Sequence, residues 1–296
     1  MAKYKVGLIG TENSHANSFC KAFNVAKEDG SFNYPDFHVN LVYGDYPESN
    51  QKQVDKFKAD AIATGVEQMV NECDCAMITC RDGKFHAKYA KPFIEAGKPC
   101  FIDKPFTTNV DEAVELVRLA KEKGVPLCGG SSLKYNNHVL ALKKAKEEMG
   151  EKFRGGYASA PLSFENDWGN FWFYSSHLAE ICLETFGWKP LAVTAVEKNK
   201  SVLAIVEYEN FAVNLEFAEN CYFSYCGLIT GEEKSVFEKI ELDYGYKCEV
   251  DVFDKVVKEG FMPHSYDQLI APVILIDAII KSYESGKRVE ITYPEI

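Results

Sequence analysis

The stretch Asp74–Phe106, DCAMITCRDGKFHAKYAKPFIEAGKPCFIDKPF, decides the fold. CAMITC is a short apolar run without polar alternation. Residues 84–96 then carry helical spacing, and KPCFID is a second apolar run just past Gly97. A strand covered on both faces reads as a continuous apolar run, and a helix between two such strands is the crossover that joins parallel neighbours. The connection is expected to be right-handed.

The same rhythm extends in both directions. YKVGLIG (residues 4–10), FHVNLVYGD (37–45) and VPLCGG (125–130) read as strands. Residues 15–29, the polar PESNQKQVDKFKA and residues 109–123, closed by Gly124, read as helices. This α/β alternation predicts a Rossmann-type parallel-sheet domain over residues 1–130. Beyond it the rhythm changes. Residues 135–149 form a Lys-rich amphipathic helix closed by Gly150. SVLAIVEYENFAVNLEFAENCYFSYCGLITG (201–231) then reads as successive strands with turns at Glu209-Asn210 and Glu219-Asn220. A helix over 265–285 ends at Gly286, before a last strand in RVEIT. Strands without intervening helices pair antiparallel, so residues 131–296 are expected to form an α+β domain with a mainly antiparallel sheet.

Bulk properties narrow the partners. A net charge of −11 with no run of Lys and Arg argues against nucleic acid. Neither a signal peptide nor an apolar stretch of membrane-spanning length is visible, so a cytoplasmic protein with no membrane partner is expected. Ten cysteines occur, but no CxxC pair; Cys73, Cys75 and Cys80 are read as reduced thiols, and no metal site is expected.

The first turn, GTENSHAN (Gly10–Asn17), lies where a dinucleotide-binding domain cradles a pyrophosphate. Gly10 permits the close approach, and Asn13 or Ser14 caps the next helix. Glu12 and His15 occupy the positions of the second and third glycines. A carboxylate about 4 Å from a phosphate costs roughly 4 kcal/mol at a surface-like dielectric, so Glu12 is expected to swing away or to pair with His15. Asp45, just past the second strand, is placed to accept ribose hydroxyls and repel a 2′-phosphate, which favours NAD over NADP.

Taken together, the strand–loop–His–helix–AGK–strand–DKP series, VPLCGGSSLKYN and SYESGKRVEI resemble the glucose–fructose oxidoreductase/inositol dehydrogenase/rhizopine-catabolism (Gfo/Idh/MocA) family of NAD(P)-dependent oxidoreductases. Order and spacing are kept over nearly the whole chain, with Asp103-Lys104-Pro105 in place of Glu-Lys-Pro. The resemblance implies that Lys104 lies at the nicotinamide and substrate, and that His86 shapes the cofactor pocket. It aligns Lys134-Tyr135 with the family's Arg-Tyr/Phe pair and His177, in FWFYSSHLAEICLETFG, with its catalytic histidine. The family's aspartate position holds Phe173, with Glu165, Asp167 and Tyr174 as nearby substitutes.

The expected cofactor contacts are therefore Gly10, Thr11, Glu12, Ser14, His15, Asp45, Cys80, His86, Asp103 and Lys104, and the catalytic residues Lys104 and His177. Lys134, Tyr135, Trp172, Tyr174 and His177 are the expected substrate contacts. The implied activity is hydride transfer between nicotinamide and a sugar, polyol or related hydroxy compound. The alternatives are a cofactor-free regulatory protein and a redox-neutral glycosidase or lyase that cycles NAD. Family resemblance also implies a homodimer or homotetramer assembled through the C-terminal sheet.

Overall fold

A computed structural model describes residues 2–219, 225–242 and 245–296. The first half comprises β1 (Tyr4–Ile9), α1 (Ser14–Asn24), β2 (Phe37–Tyr43), α2 (Pro47–Phe57), β3 (Ala61–Ile62), α3 (Val66–Glu72), β4 (Cys75–Ile78), α4 (His86–Glu95), β5 (Cys100–Ile102), α5 (Val110–Lys123) and β6 (Leu127–Gly129). Its six strands are parallel, in the order β3-β2-β1-β4-β5-β6. Both faces are covered, which is why every residue of β4 and β5 is buried. The helices start where side chains can satisfy their free N–H groups: Asn13 accepts from Ala16 N and Asn109 from Glu112 N.

The helix expected over residues 15–29 ends at Asn24. That side chain both donates to and accepts from the Val39 backbone, which pins the helix end to β2 and turns the chain into a loop. The short β3 and α3 were not anticipated.

The second half comprises α6 (Asn137–Met149), β7 (Phe153–Pro161), α7 (Phe171–Phe186), β8 (Ala192–Lys198), β9 (Ser201–Glu207), β10 (Ala212–Ala218), β11 (Tyr225–Gly231), β12 (Ser235–Ile240), α8 (Gly245–Glu259), α9 (Tyr266–Ser285) and β13 (Val289–Glu290). Its sheet runs β12-β11-β7-β10-β9-β8-β13, antiparallel except for the β7–β10 pair. The turn at Glu209-Asn210 joins β9 to β10 as expected, whereas the expected turn at Glu219-Asn220 falls partly outside the described residues. Apolar side chains of α7 and α9 cover one face of this sheet. On strand β9, Leu203 and Ile205 point away from that core, as do Val196 on β8 and Phe237 on β12.

The sheets divide near residue 130, but the helices do not respect that division. Val250, Phe253 and Val256 of α8 pack with Phe19, Phe23 and Phe37 on one face of the first sheet. Leu269, Ile270, Val273 and Ile274 of α9 pack on the other. The C-terminal helices thus clamp the parallel sheet, and α8 brings its first turn to the ends of β1 and β5.

Candidate functional site

A cavity of about 330 Å³ opens where the carboxyl ends of β1, β4 and β5 face α7 and the start of α8. The first sheet contributes Asn13, Ser14, His15, Cys80, Arg81, Asp103 and Lys104. Phe173, Tyr174 and His177 come from α7, and Tyr225, Tyr246 and Lys247 close the far side. Ligands collect at the carboxyl ends of strands in open parallel sheets, so the position itself is informative.

Gly10 shapes the near wall. Its φ is +85°, and a Cβ there would lie 2.3 Å from the backbone nitrogen of Cys80, so only glycine lets the ends of β1 and β4 meet. The Asn13 side chain caps α1 and donates to the Thr79 carbonyl, holding the turn against β4. Thr11 turns inward to hydrogen-bond Asn50 (2.6 Å).

Of the two arrangements expected for Glu12, it swings away and does not pair with His15. The Glu12 carboxylate accepts from Arg81 N at 2.7 Å. His15 Nδ1 lies 2.8 Å from Asp103 Oδ2, at ion-pair distance but not aligned for a hydrogen bond, and its ring packs edge-on against Tyr246 at 4.9 Å. Each side chain is drawn to a partner on a different strand end, so the two diverge.

Lys104 is half-buried and His177 faces it from α7. Burial lowers the Lys104 pKa, opposed by Asp103 and Glu249 and reinforced by Arg81. Burial likewise holds His177 well below 6.5, with Lys104 and His15 adding to it. The imidazole is therefore neutral near neutrality. Its Nδ1 lies 2.7 Å from Ser131 Oγ; with the proton on Nδ1 and donated to that hydroxyl, Nε2 is left as a lone-pair acceptor. Burial works to raise the Asp103 carboxyl, but His15, Lys104 and His86 outweigh it and the net shift is downward.

Phe173, at the position where the family resemblance places an aspartate, meets Lys104 differently. Its ring centroid is 4.5 Å from Lys104 Nζ and its carbonyl accepts from that nitrogen at 3.4 Å. Glu165 and Asp167 are exposed and do not reach the cavity, so neither substitutes for the missing carboxylate. Tyr174 does line it, 5.5 Å from Lys104 Nζ.

Several expected contacts lie off the cavity wall. His86 is fully buried, with Nδ1 2.7 Å from the Pro105 carbonyl and Nε2 2.8 Å from that of Cys80, so it clamps two strand-end loops together. Lys134 is also buried, donating to Glu180 (2.7 Å) and to the Gly129 carbonyl (2.6 Å), while Glu180 accepts from Ser131 N. This ion pair is the substructure beneath Ser131 and His177, which is why it is not free to meet a ligand. Tyr135 packs edge-on against His264. Trp172 joins the cores of both halves, and Asp45 sits exposed just past β2.

Two residues were missed. Arg81 stands on the cavity wall immediately past β4, a position at which any cation is worth noting. Glu249, on the core-facing stripe of α8 with Val250, Phe253 and Val256, is 1% exposed, and neither carboxyl oxygen has a partner among the described residues. Burial pushes its pKa well above the carboxylate range. Asp103 and Glu180 add to that shift, while Lys134 and Lys104 oppose it. An acidic residue on an apolar helical stripe was the available signal.

Residues 4–130 match the oxidoreductase family with an NAD-binding Rossmann fold, Gfo/Idh/MocA. An inositol 2-dehydrogenase of Paracoccus denitrificans is 36% identical over 75 residues, 25% of this chain and 22% of that protein. The scyllo-inositol 2-dehydrogenase (NADP(+)) IolW of Bacillus subtilis is 26% identical over 179 residues, 55% of this chain and 49% of its own length. These matches thus span less than half of each curated relative. The fold is shared over the whole chain with GenD2 from gentamicin A biosynthesis, solved in complex with NAD: TM-score 0.86, 16% identity, covering 99% of this chain and 97% of that one. No helix among the described residues is long and apolar enough to cross a membrane.

Proposed function

We propose, for a chain that belongs through residues 4–130 to the Gfo/Idh/MocA oxidoreductase family, an NAD-dependent activity that moves hydride between a nicotinamide and a hydroxyl-bearing carbon of a sugar or polyol. The observation that carries this reading is the convergence of Lys104 and neutral His177 on one cavity at the strand ends. The residues present fit a dinucleotide. Gly10 keeps the backbone of the turn low, the N-terminus of α1 points at the cavity, and Glu12 is held by Arg81 N. Exposed Asp45 would accept the ribose hydroxyls and disfavour a 2′-phosphate, which supports NAD over NADP.

When bound, the nicotinamide supplies the hydride acceptor. His177 Nε2 takes the proton of the substrate hydroxyl, and its low pKa keeps it in the accepting form. Ser131, fixed by the buried Lys134–Glu180 pair, orients the ring. Lys104 donates to the same substrate oxygen and stabilises the charge that develops on it, while Asp103 supports the ammonium. Tyr174 forms the adjoining wall.

The test is direct. NADH titrated into the purified protein should bind, and a polyol panel with NAD should accumulate reduced cofactor in the wild type but not in Lys104→Ala. Failure of NADH to bind refutes the proposal. We further propose a homodimer or homotetramer through the outer face of the second sheet, supported by exposed Val196, Leu203, Ile205 and Phe237. Sedimentation of a Leu203→Asp/Ile205→Lys variant should then show a smaller species. Nine described cysteines are free thiols, which supports a reducing, cytoplasmic location.

A further inference from the structure

Arg81 is the one arginine of the chain whose side chain is not bonded to a protein acceptor among the described residues. Arg118 donates to the Glu295 carbonyl, Arg154 to Glu232 and Arg288 to Glu207. The Arg81 guanidinium is instead held by aromatic faces: its carbon lies 4.9 Å from the ring centroid of Trp168 and 5.9 Å from that of Phe173. Trp168 in turn lies 6.2 Å from Tyr46, the N-cap residue of α2, so the clamp bridges both halves of the chain. Rings fix a guanidinium plane without consuming its N–H groups, and those donors remain available to the cavity that Arg81 lines.

The charge on that wall is also unbalanced. Lys247 is taken up by Asp251 at 2.6 Å, and among the described residues the wall's single carboxylate, Asp103, lies against His15 and raises the pKa of Lys104. Glu12 is spent on the Arg81 backbone N–H, not on its side chain. A protein with a net charge of −11 thus keeps, beside its candidate catalytic lysine, an oriented guanidinium that no carboxylate among the described residues pairs with. A planar fork of donors in that setting matches the two oxygens of a carboxylate or phosphate.

We infer that Arg81 is an oxyanion receptor, binding either the pyrophosphate of the dinucleotide or an acidic group carried by the substrate. The dinucleotide source rests on the proposed function; the substrate source does not. Two variants separate charge from packing. Arg81→Met keeps a long side chain between the rings without charge or donors, and Arg81→Lys keeps the charge without the fork.

The probes are NADH and the matched pair glucose and glucuronate, titrated calorimetrically into wild type and both variants, with melting temperature as the folding control. If the pyrophosphate is the partner, Arg81→Met weakens NADH roughly 10- to 100-fold, as expected for losing charge-assisted hydrogen bonds, and leaves the sugar preference alone. If the substrate is the partner, NADH affinity holds and the preference for glucuronate over glucose falls by about the same factor. Arg81→Lys should retain part of either effect, and it carries the test if the Met variant does not fold. The inference is overturned if both quantities stay within about twofold of wild type, or if the wild type binds neither NADH nor glucuronate. Wild type that binds glucuronate but not NADH refutes the proposed function and leaves the receptor to be read from the sugar arm.

Discussion

Replacing Glu249 by Gln should stabilise the protein, and by an amount that grows with pH. Three carboxyls, Asp103, Glu180 and Glu249, share the space beneath the cavity with two ammonium groups, Lys104 and Lys134. Glu180 takes Lys134 directly, and Asp103 is held by His15 and Lys104. Glu249 is the odd carboxyl, buried without a donor on either oxygen and facing Cys128 and Tyr135 besides. Burial therefore keeps it protonated in the fold, whereas in the unfolded chain it titrates near 4.5. Below 4.5 both states hold the proton and Glu249 carries no pH-dependent penalty. Above it only the unfolded chain releases the proton, so wild-type stability falls by about 1.4 kcal/mol per pH unit until the folded pKa is reached. Gln has the shape of the neutral acid and cannot ionise in either state. The advantage of Glu249→Gln should thus be near zero at about pH 4 and grow steadily as pH rises above 4.5. Urea unfolding of both proteins across that range measures it. A difference that is flat with pH, or that favours wild type increasingly at high pH, would refute the reasoning. Glu249 would then be ionised in the fold and bound to Lys104 or Lys134.

Three further outcomes follow from the same geometry. Lys104→Met should lower kcat on the order of 10²- to 10⁴-fold with little change in NADH affinity if, as proposed, the ammonium acts on the reacting oxygen; equal loss of binding and turnover would place Lys104 in cofactor anchoring instead. Lys134→Met, which leaves Glu180 buried without its partner, should destabilise by about 3–5 kcal/mol in urea, and Lys134→Met/Glu180→Leu should regain much of that. Since burial, with Lys104 adding to it, holds His177 well below 6.5, kcat/KM should stay level as pH falls past 6.5 and drop only further into acid. A limb centred at 6.5 or above would mean that another group titrates.

The parallel sheet was legible because strands buried on both faces leave continuous apolar runs, as in CAMI and CFI. Strand β7 was not. Its glycines break the alternation that marks a strand, yet Gly156 is required there because a Cβ would lie 2.5 Å from the Phe186 ring. The polar-looking α8 hid for a related reason: its apolar stripe is narrow and interrupted by Glu249, and only the first sheet gives that stripe a partner. At the site, position was readable but pairing was not. Lys104 could be placed from the strand that ends before it. That Glu12 reaches Arg81, 69 residues away, rather than His15, three residues away, depends on where β4 ends relative to β1.

The three departures at this site form one electrostatic pattern. A carboxylate at position 173 would stand near both Lys104 and Arg81, since the Phe173 ring is 4.5 and 5.9 Å from them. At about 4 Å such a contact is worth roughly 4 kcal/mol at a surface-like dielectric, enough to neutralise the wall before any ligand arrived. Phenylalanine holds both cations by its face and leaves their charge available. Glu12, the one acidic residue of the turn between β1 and α1, is fastened to a backbone N–H and so does not cancel the guanidinium either. Glycine turns bind phosphate by backbone donors; here two of the three glycine positions are filled and a fixed guanidinium stands on the opposing strand end. If the proposed dinucleotide binds, the substitutions compensate one another: the turn loses open backbone and the facing loop gains a directed cation.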